Sequence, residues 1–104
     1  MILKAGPESI AKAAQILRCG GLVAIPTETV YGLGADALDP AACAKIFEAK
    51  KRPFFDPLIV HIAEFPMLDE LVCSVPPAAY KLIDRFWPGP LTLVLPRKAV
   101  IPDI

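Results

Sequence analysis

Apolar residues recur at helical spacing in two parts of the chain. The segment Pro7–Arg18 opens with a proline, which suits the first helical position, and is followed by two glycines that favour a helix end. One apolar face runs along this segment, formed by Ile10, Ala13, Ala14 and Leu17. A second face, within Ala78–Phe86, consists of Ala79, Leu82, Ile83 and Phe86. The spacing predicts a helix in each segment.

Two more helices are predicted between these segments. Asp39–Pro40 combines an acidic N-cap residue with a proline and predicts a helix that runs to about Ala49. The residues that this helix is expected to bury are Cys43, Ile46 and Phe47. The segment Pro66–Val72 has the length of a short helix, and two prolines break the chain after it.

Short apolar runs lie between the predicted helices, at Leu22–Ile25, Leu58–Ile62 and Leu91–Leu95. They predict strands, and the first is expected to be covered on both faces because it lacks polar alternation. Since strands alternate with helices, the predicted fold class is α/β, with an open twisted sheet and flanking helices. The sheet is expected to be truncated, because no closing helix follows the last predicted strand.

Hydroxyl-bearing residues follow the first predicted strand. Thr27, Thr29 and Tyr31 lie beyond its carboxyl end, where ligands bind in open α/β sheets. Hydroxyl groups both donate and accept hydrogen bonds, so they suit a zwitterion or a carboxylate. Gly32 and Gly34 would let backbone amides approach an anion closely. A well-bonded loop without a ligand fits the same residues equally well.

Three cations, Lys50, Lys51 and Arg52, follow at the end of a predicted helix. Two prolines in the next five residues stiffen the loop, which favours a phosphate site held in place. The alternative is charge compensation, since cations stabilise the negative end of a helix dipole. The pattern GxxxxGK[ST] is absent, so this is not a P-loop.

Two single residues on predicted strands are weaker candidates. His61 is the only histidine, and a lone histidine on a strand is more often a bonded structural residue than a catalyst. Thr92 is either a strand residue or a pocket hydroxyl. The rigid sequence Trp87–Pro90 is interpreted as a structural turn.

Composition narrows the class of protein. The 104 residues are 55% hydrophobic and carry 11 basic and 11 acidic side chains, whereas a dedicated nucleic-acid binder usually has a basic excess. No signal peptide and no apolar run of membrane-spanning length is present, so a cytoplasmic location is expected. The odd, scattered cysteines Cys19, Cys43 and Cys73 predict buried free thiols rather than zinc ligands or disulfides. No metal ligands are assigned.

Four motifs in order resemble the YrdC-like threonylcarbamoyl-AMP synthase family. They are Pro26–Leu33, Lys50-x-Arg52-Pro53 with Pro57–Leu58, His61–Ile62, and Trp87–Thr92. One departure is Lys51, where glycine is common in the family. The resemblance covers about Pro7 to Leu95, and it identifies residues 1–104 as the N-terminal portion of a YrdC-like domain.

The resemblance implies a nucleotidyltransferase that forms threonylcarbamoyl-adenylate from L-threonine, bicarbonate and ATP, with release of pyrophosphate. Lys50 and Arg52 would bind the ATP phosphates as the catalytic cations, and Mg²⁺ would share the charge. The residues implied to bind threonine are Thr27, Thr29, Tyr31, His61 and Thr92. The product would serve threonylcarbamoyladenosine modification of tRNA, which partner proteins complete.

Two alternatives stay open at this point. A YrdC-like module could bind double-stranded RNA or tRNA without synthase activity, although zero net charge disfavours it. Alternatively, the chain is a catalytically incomplete fragment of the synthase. An uncovered sheet edge would then favour a homodimer or aggregation through the exposed sheet surface.

Overall fold

The computed structural model describes residues 2–27, 30–51 and 58–103. In these ranges the chain forms four helices and two strands. In chain order they are α1 (Pro7–Arg18), β1 (Val23–Pro26), β2 (Tyr31–Gly34), α2 (Pro40–Lys50), α3 (Met67–Leu71) and α4 (Pro77–Phe86). Two compact units result, Met1–Pro57 with Pro102–Ile104 as the first unit and Leu58–Ile101 as the second unit.

Helix α1 has the predicted bounds Pro7–Arg18. Gly20 follows it with a left-handed φ of 85°, a conformation that glycine adopts without steric cost. The helix lies against β1 but buries no residue completely, and Ile10 stays 67% exposed. The apolar pattern therefore predicted the helix but overstated how much of its face is covered.

Helix α2 confirms both its predicted start and its predicted core. The Asp39 carboxylate accepts hydrogen bonds from the N–H groups of Ala41 (3.0 Å) and Ala42 (3.3 Å). The buried residues of this helix are Ala42, Cys43, Ile46 and Phe47. Lys45 donates from Nζ to the Gly20 carbonyl over 2.7 Å, which connects α2 to the end of α1.

The sheet of the first unit is an antiparallel hairpin of β1 and β2, with Val23 opposite Gly34 and Pro26 opposite Tyr31. The first predicted strand is thus confirmed, shifted by one residue. The expectation that it is covered on both faces is wrong, because Ile25 is 42% exposed. Among the described residues this sheet has two strands, so each of them is an edge strand.

The second unit is built around α3 and α4, which confirm the two helices predicted there. Its buried side chains include Leu68, Ala79 and Ile83. The other two members of the predicted α4 face, Leu82 and Phe86, are 40% and 49% exposed. This core is therefore smaller than the sequence pattern indicated.

The predicted strands Leu58–Ile62 and Leu91–Leu95 form no β-ladder with any described residue. Next to the second of them, Val72 and Arg97 form an isolated antiparallel bridge. A strand needs a partner as well as a suitable sequence, and neither segment has one here. The prediction of strands at Leu58–Ile62 and Leu91–Leu95 is therefore wrong for the described structure.

No helix in the described ranges is long and apolar enough to cross a membrane.

Candidate substrate site

The connection between β1 and β2 is closed by Thr27. Its N–H donates to the Val30 carbonyl over 3.2 Å, and its hydroxyl oxygen accepts from the Val30 N–H over 3.2 Å. The Thr27 hydroxyl also donates to the Val30 carbonyl. A threonine hydroxyl has one proton and two acceptor lone pairs, so these bonds use its proton and one lone pair. The Thr27 hydroxyl therefore takes part in closing the connection itself.

Tyr31 begins β2 directly after this connection and lies opposite Pro26. Its side chain is 75% exposed, and its phenol makes no hydrogen bond with a described residue. The hairpin register therefore brings Thr27 and Tyr31 to one end of the same two-stranded sheet. Thr29, predicted with them, lies outside the described residues.

Gly32 and Gly34 belong to β2 and not to a loop. Because the Thr27 N–H bonds to the Val30 carbonyl, the alternation of an antiparallel ladder makes Ile25–Gly32 and Val23–Gly34 the hydrogen-bonded pairs. The N–H groups of both glycines are thus directed at β1. That glycine at these positions lets backbone amides approach an anion closely stays a prediction.

Lys50 is the last residue of α2 and is exposed. Its ammonium group forms no ion pair with a described residue, so it is available to an external anion. Lys51 then ends the helix in the left-handed conformation, with φ 55° and ψ 39°, and its N–H bonds to carbonyls of the last turn. Arg52, predicted as the second phosphate ligand, lies outside the described residues.

The second unit carries the other two candidates, and it is described here by itself. His61 and Thr92 are both exposed, and neither side chain hydrogen-bonds to a described residue. The structure thus groups the candidates as Thr27, Tyr31 and Lys50 in the first unit and His61 and Thr92 in the second.

The turn before Thr92 is stabilised by hydrogen bonds among its own residues. Trp87 donates from its indole Nε1 to the Leu91 carbonyl over 2.9 Å, and the Leu91 N–H bonds to the Gly89 carbonyl at the same length. A side chain at position 89 would meet the Phe86 carbonyl at 2.5 Å, so only glycine fits. The interpretation of Trp87–Pro90 as a structural turn is confirmed.

The three cysteines are free thiols that differ in exposure. Cys43 is buried, and its thiol lies 3.5 Å from the Asp36 carbonyl oxygen as a donor. Burial, together with the Asp36 and Asp39 carboxylates, raises the pKa of Cys43, which keeps the thiol protonated and unreactive. Cys19 and Cys73 are exposed, so the expectation of three buried thiols is wrong for these two.

No metal centre is formed by the described residues, since they contain no group of three or more His, Cys, Asp or Glu side chains able to hold an ion.

The first unit thus carries exposed hydroxyl groups at one end of the hairpin and an exposed lysine at the end of α2. The sequence model of the Sua5/YciO/YrdC family, described as "Telomere recombination", matches residues 15–104. The chain belongs to this family, and the resemblance read from its motifs is confirmed.

Curated relatives in this family are named threonylcarbamoyl-AMP synthase. The relative from Pyrococcus abyssi (strain GE5 / Orsay) is 59% identical over 92 residues, which are 88% of this chain and 27% of that protein. The relative from Bacillus subtilis (strain 168) is 53% identical over 96 residues, 92% of this chain and 28% of that protein. The chain therefore spans less than a third of the length of these relatives.

A crystal structure of P. abyssi Sua5 complexed with L-threonine is similar to this chain, with a TM-score of 0.90 and 55% identity. The superposition covers 96% of this chain and 29% of that one. The predicted YrdC-like fold class is confirmed by this agreement.

Proposed function

We propose that this chain is part of a threonylcarbamoyl-AMP synthase, a transferase that joins L-threonine, bicarbonate and ATP into threonylcarbamoyl-adenylate. The observation that carries the proposal is the backbone agreement with threonine-bound P. abyssi Sua5 at 55% identity. Curated relatives with the synthase name, at 53% and 59% identity, support it. Because the chain spans under a third of these proteins, the activity is proposed for the synthase to which it contributes.

Two chemical steps make up the proposed reaction. The threonine amine first condenses with bicarbonate, which gives a carbamate and water. A carbamate oxygen then attacks the α-phosphorus of ATP, the bond from that phosphorus to the β-phosphate oxygen breaks, and pyrophosphate leaves. Little covalent chemistry falls to the protein, so its contribution is to position the reactants and to neutralise charge.

The hydroxyl-bearing residues are proposed to bind threonine. Support comes from the exposed Tyr31 phenol, which is able to donate to the substrate carboxylate, and from the position of Thr27 at the same end of the hairpin. The residues proposed on resemblance alone are Thr29, His61 and Thr92.

Lys50 and Arg52 are proposed to bind the ATP phosphates and to stabilise charge as pyrophosphate departs. Support for Lys50 comes from its exposure and from the lack of an ion pair with a described residue. Loss of one such cation costs on the order of 3 kcal/mol of transition-state stabilisation. Mg²⁺ is proposed only as the ion that accompanies ATP, since the described residues offer no ligand set for it.

The wider role follows from the product. Threonylcarbamoyl-adenylate would be consumed by tRNA modification, with partner proteins and tRNA downstream, and a cytoplasmic location fits that role. The RNA-binding alternative gains no support from charge, because basic and acidic side chains are equal in number. A salt-dependent shift of tRNA without any response to ATP would favour it.

The test is pyrophosphate release from ATP and Mg²⁺ by the 104-residue chain, with and without threonine and bicarbonate. Release that requires both substrates would show that this part holds the catalytic apparatus. If there is none, the assay is repeated with the chain fused to the part of the P. abyssi synthase outside its matched 92 residues. A folded fusion that releases no pyrophosphate would refute the proposal.

Lys50→Ala in the active form is expected to slow pyrophosphate release about a hundredfold, because a cation at the leaving phosphates is lost. Lys81→Ala is the matched control, since this exposed lysine lies on α4 and has no proposed role. Unchanged turnover in Lys50→Ala would remove this residue from the phosphate site.

A further inference from the structure

Lys51 has a backbone conformation that favours glycine. Its φ of 55° and ψ of 39° lie in the left-handed region, and within the described ranges no other residue except glycine has a positive φ. A Cβ crowds the backbone in this region, whereas glycine adopts it without steric cost and commonly follows a helix end. Helix termination alone would therefore favour glycine at position 51.

The side chain of Lys51 makes no compensating interaction with the described part of the chain. It is exposed, and its ammonium group forms no hydrogen bond or ion pair there. Lys45 on the same helix differs, because its Nζ donates to the Gly20 carbonyl over 2.7 Å. The last turn of α2 already contains Lys50 as a cation for the helix dipole. Lys51 thus adds a second positive charge beside Lys50 that the described residues do not use.

The balance of charges at this helix end shows what the second cation changes. The C-terminal end of a helix carries about half a negative elementary charge, which repels an anion. In the last turn of α2 the Glu48 carboxylate offsets the Lys50 ammonium group, so without Lys51 the described groups are negative in sum. With Lys51 the sum becomes about half a positive charge. Among these groups, Lys51 therefore decides whether the end of α2 attracts or repels a phosphate.

We propose that Lys51 is a second lysine of the phosphate site, and that its ammonium group binds the β- and γ-phosphates of ATP beside Lys50. The inference rests on the proposed function and extends its phosphate site by one residue. A lysine suits this role because its compact charge on a flexible stem does not require one fixed approach geometry. Strained backbone conformations are common in binding sites, where function requires them.

A polyphosphate fits this pair of lysines better than an RNA backbone does. It concentrates several negative charges within the reach of two neighbouring side chains. Nucleic acid instead spreads its charges along a strand, and its affinity depends on many cations, whereas this chain has equal numbers of basic and acidic side chains. The triphosphate of ATP is therefore the ligand to which the inference commits.

The first test is the binding of inorganic pyrophosphate to the 104-residue chain, measured by isothermal titration calorimetry at low ionic strength, where salt screens exposed charges least. Lys51→Gly is expected to raise the Kd about fivefold, which is the effect of losing one exposed ion pair. Glu48→Gln removes a negative charge from the same turn and should lower the Kd by a similar factor. Lys51→Arg should retain binding, and Lys81→Gln on α4 is the matched control.

Thermal unfolding separates the role of the charge from a structural role. Because glycine fits the left-handed conformation, Lys51→Gly is expected to keep or raise the melting temperature, by up to about 4 °C. Lys51→Asn is a second variant without the charge, since asparagine also tolerates this conformation. Weaker pyrophosphate binding at equal or greater stability is a combination that a merely structural lysine would not produce.

In the active form of the synthase, Lys51→Gly should raise the KM for ATP about fivefold and leave the KM for threonine unchanged. The inference would be overturned if the natural chain binds a short RNA duplex but no pyrophosphate, or if Lys51→Gly and Lys51→Asn bind pyrophosphate as tightly as the natural chain. A loss in Lys51→Arg as large as that in Lys51→Gly would also overturn it.

The same measurements separate this inference from the synthase proposal. Turnover with an unchanged KM for ATP in Lys51→Gly would refute the role of Lys51 and leave the synthase proposal standing. Pyrophosphate binding that depends on Lys51, in a folded fusion without turnover, would support the phosphate site and refute the synthase proposal.

Discussion

The β1–β2 hairpin and the segment Leu91–Leu95 are both short and apolar, but only the hairpin has a partner strand. Its two strands are separated by only four residues, so the entropic cost of closing the loop is small. The segment Leu91–Leu95 depends on a strand far away in the sequence or on another polypeptide. The first unit therefore contains a strand pair that forms between neighbouring segments of the chain. In the second unit, residues 91–95 alternate between half-buried and exposed as a strand does, but they pair with no described strand.

The largest expected effect is the loss of stability in Phe47→Ala, since Phe47 is 1% exposed in the core of the first unit. Removal of a fully buried ring is expected to cost about 3–5 kcal/mol of unfolding free energy. Phe86→Ala is the counterpart in the second unit, where the ring is 49% exposed, and it should cost about 1 kcal/mol. Urea denaturation of both variants measures the difference.

Equal losses in the two variants would contradict the comparison, because they would mean that the ring at position 86 is as well packed as the ring at position 47. In the fusion with the rest of a synthase, the cost of Phe86→Ala should rise if the added polypeptide covers α4, while that of Phe47→Ala should stay the same.

Gly89→Ala and Gly34→Ala compare the steric need for glycine in a turn of the second unit with that in a strand of the first unit. A Cβ at position 89 would lie 2.5 Å from the Phe86 carbonyl, so the backbone must shift, whereas at position 34 the nearest atom is the Val23 carbonyl at 3.6 Å. The first substitution should cost about 2 kcal/mol. The second should be neutral or gain up to about 1 kcal/mol, because glycine weakens a strand.

Thermal unfolding of the two alanine variants measures the change in stability that each substitution causes. Destabilisation by Gly34→Ala as large as that by Gly89→Ala would show that close approach in the hairpin, and not strand pairing alone, requires glycine there. Such a result would also reopen the question of a ligand that approaches the β2 backbone.

The sequence predicted the elements whose causes are local. Asp39 and Pro40 begin α2 through a side-chain cap and a preset φ, and both act within one helical turn. Pairing of Gly32 with Ile25 was not predicted, since the two glycines were interpreted only as positions where backbone amides could approach an anion. Nothing local shows that Leu91–Leu95 lacks a partner, because its own residues are those of a strand.

For the candidate site, too, the sequence predicted some features, whereas others depend on how the chain pairs. Motif resemblance selected Thr27, Tyr31 and Lys50, and the structure finds all three exposed in one unit. The hydrogen bonds that use the Thr27 proton could not be foreseen, because they depend on the position of Val30 across the connection. Sequence spacing thus indicates which residue types are present, while the hairpin register decides which hydrogen bonds Thr27 makes with Val30.

The smallest expected effect concerns Cys43 and the pH. Burial and the carboxylates of Asp36 and Asp39 raise the pKa of this thiol in the folded chain above its value in the unfolded one. The neutral thiol therefore contributes stability that is fully present below the unfolded pKa of about 8.5 and is lost as the pH rises through the folded pKa. Unfolding free energy should fall more steeply in the natural chain than in Cys43→Ser as the pH rises above about 8.5.

Serine does not titrate in this range, and its hydroxyl can donate to the Asp36 carbonyl in place of the thiol. The exposed Cys19 and Cys73 are present in both proteins, so their contributions cancel in the difference. Parallel pH profiles would mean that the first unit does not exclude water around position 43 and that its core is as open as that of the second unit. A steeper profile in the natural chain would instead place the thiol in a closed core, in contrast to the uncovered edge at Leu91–Leu95.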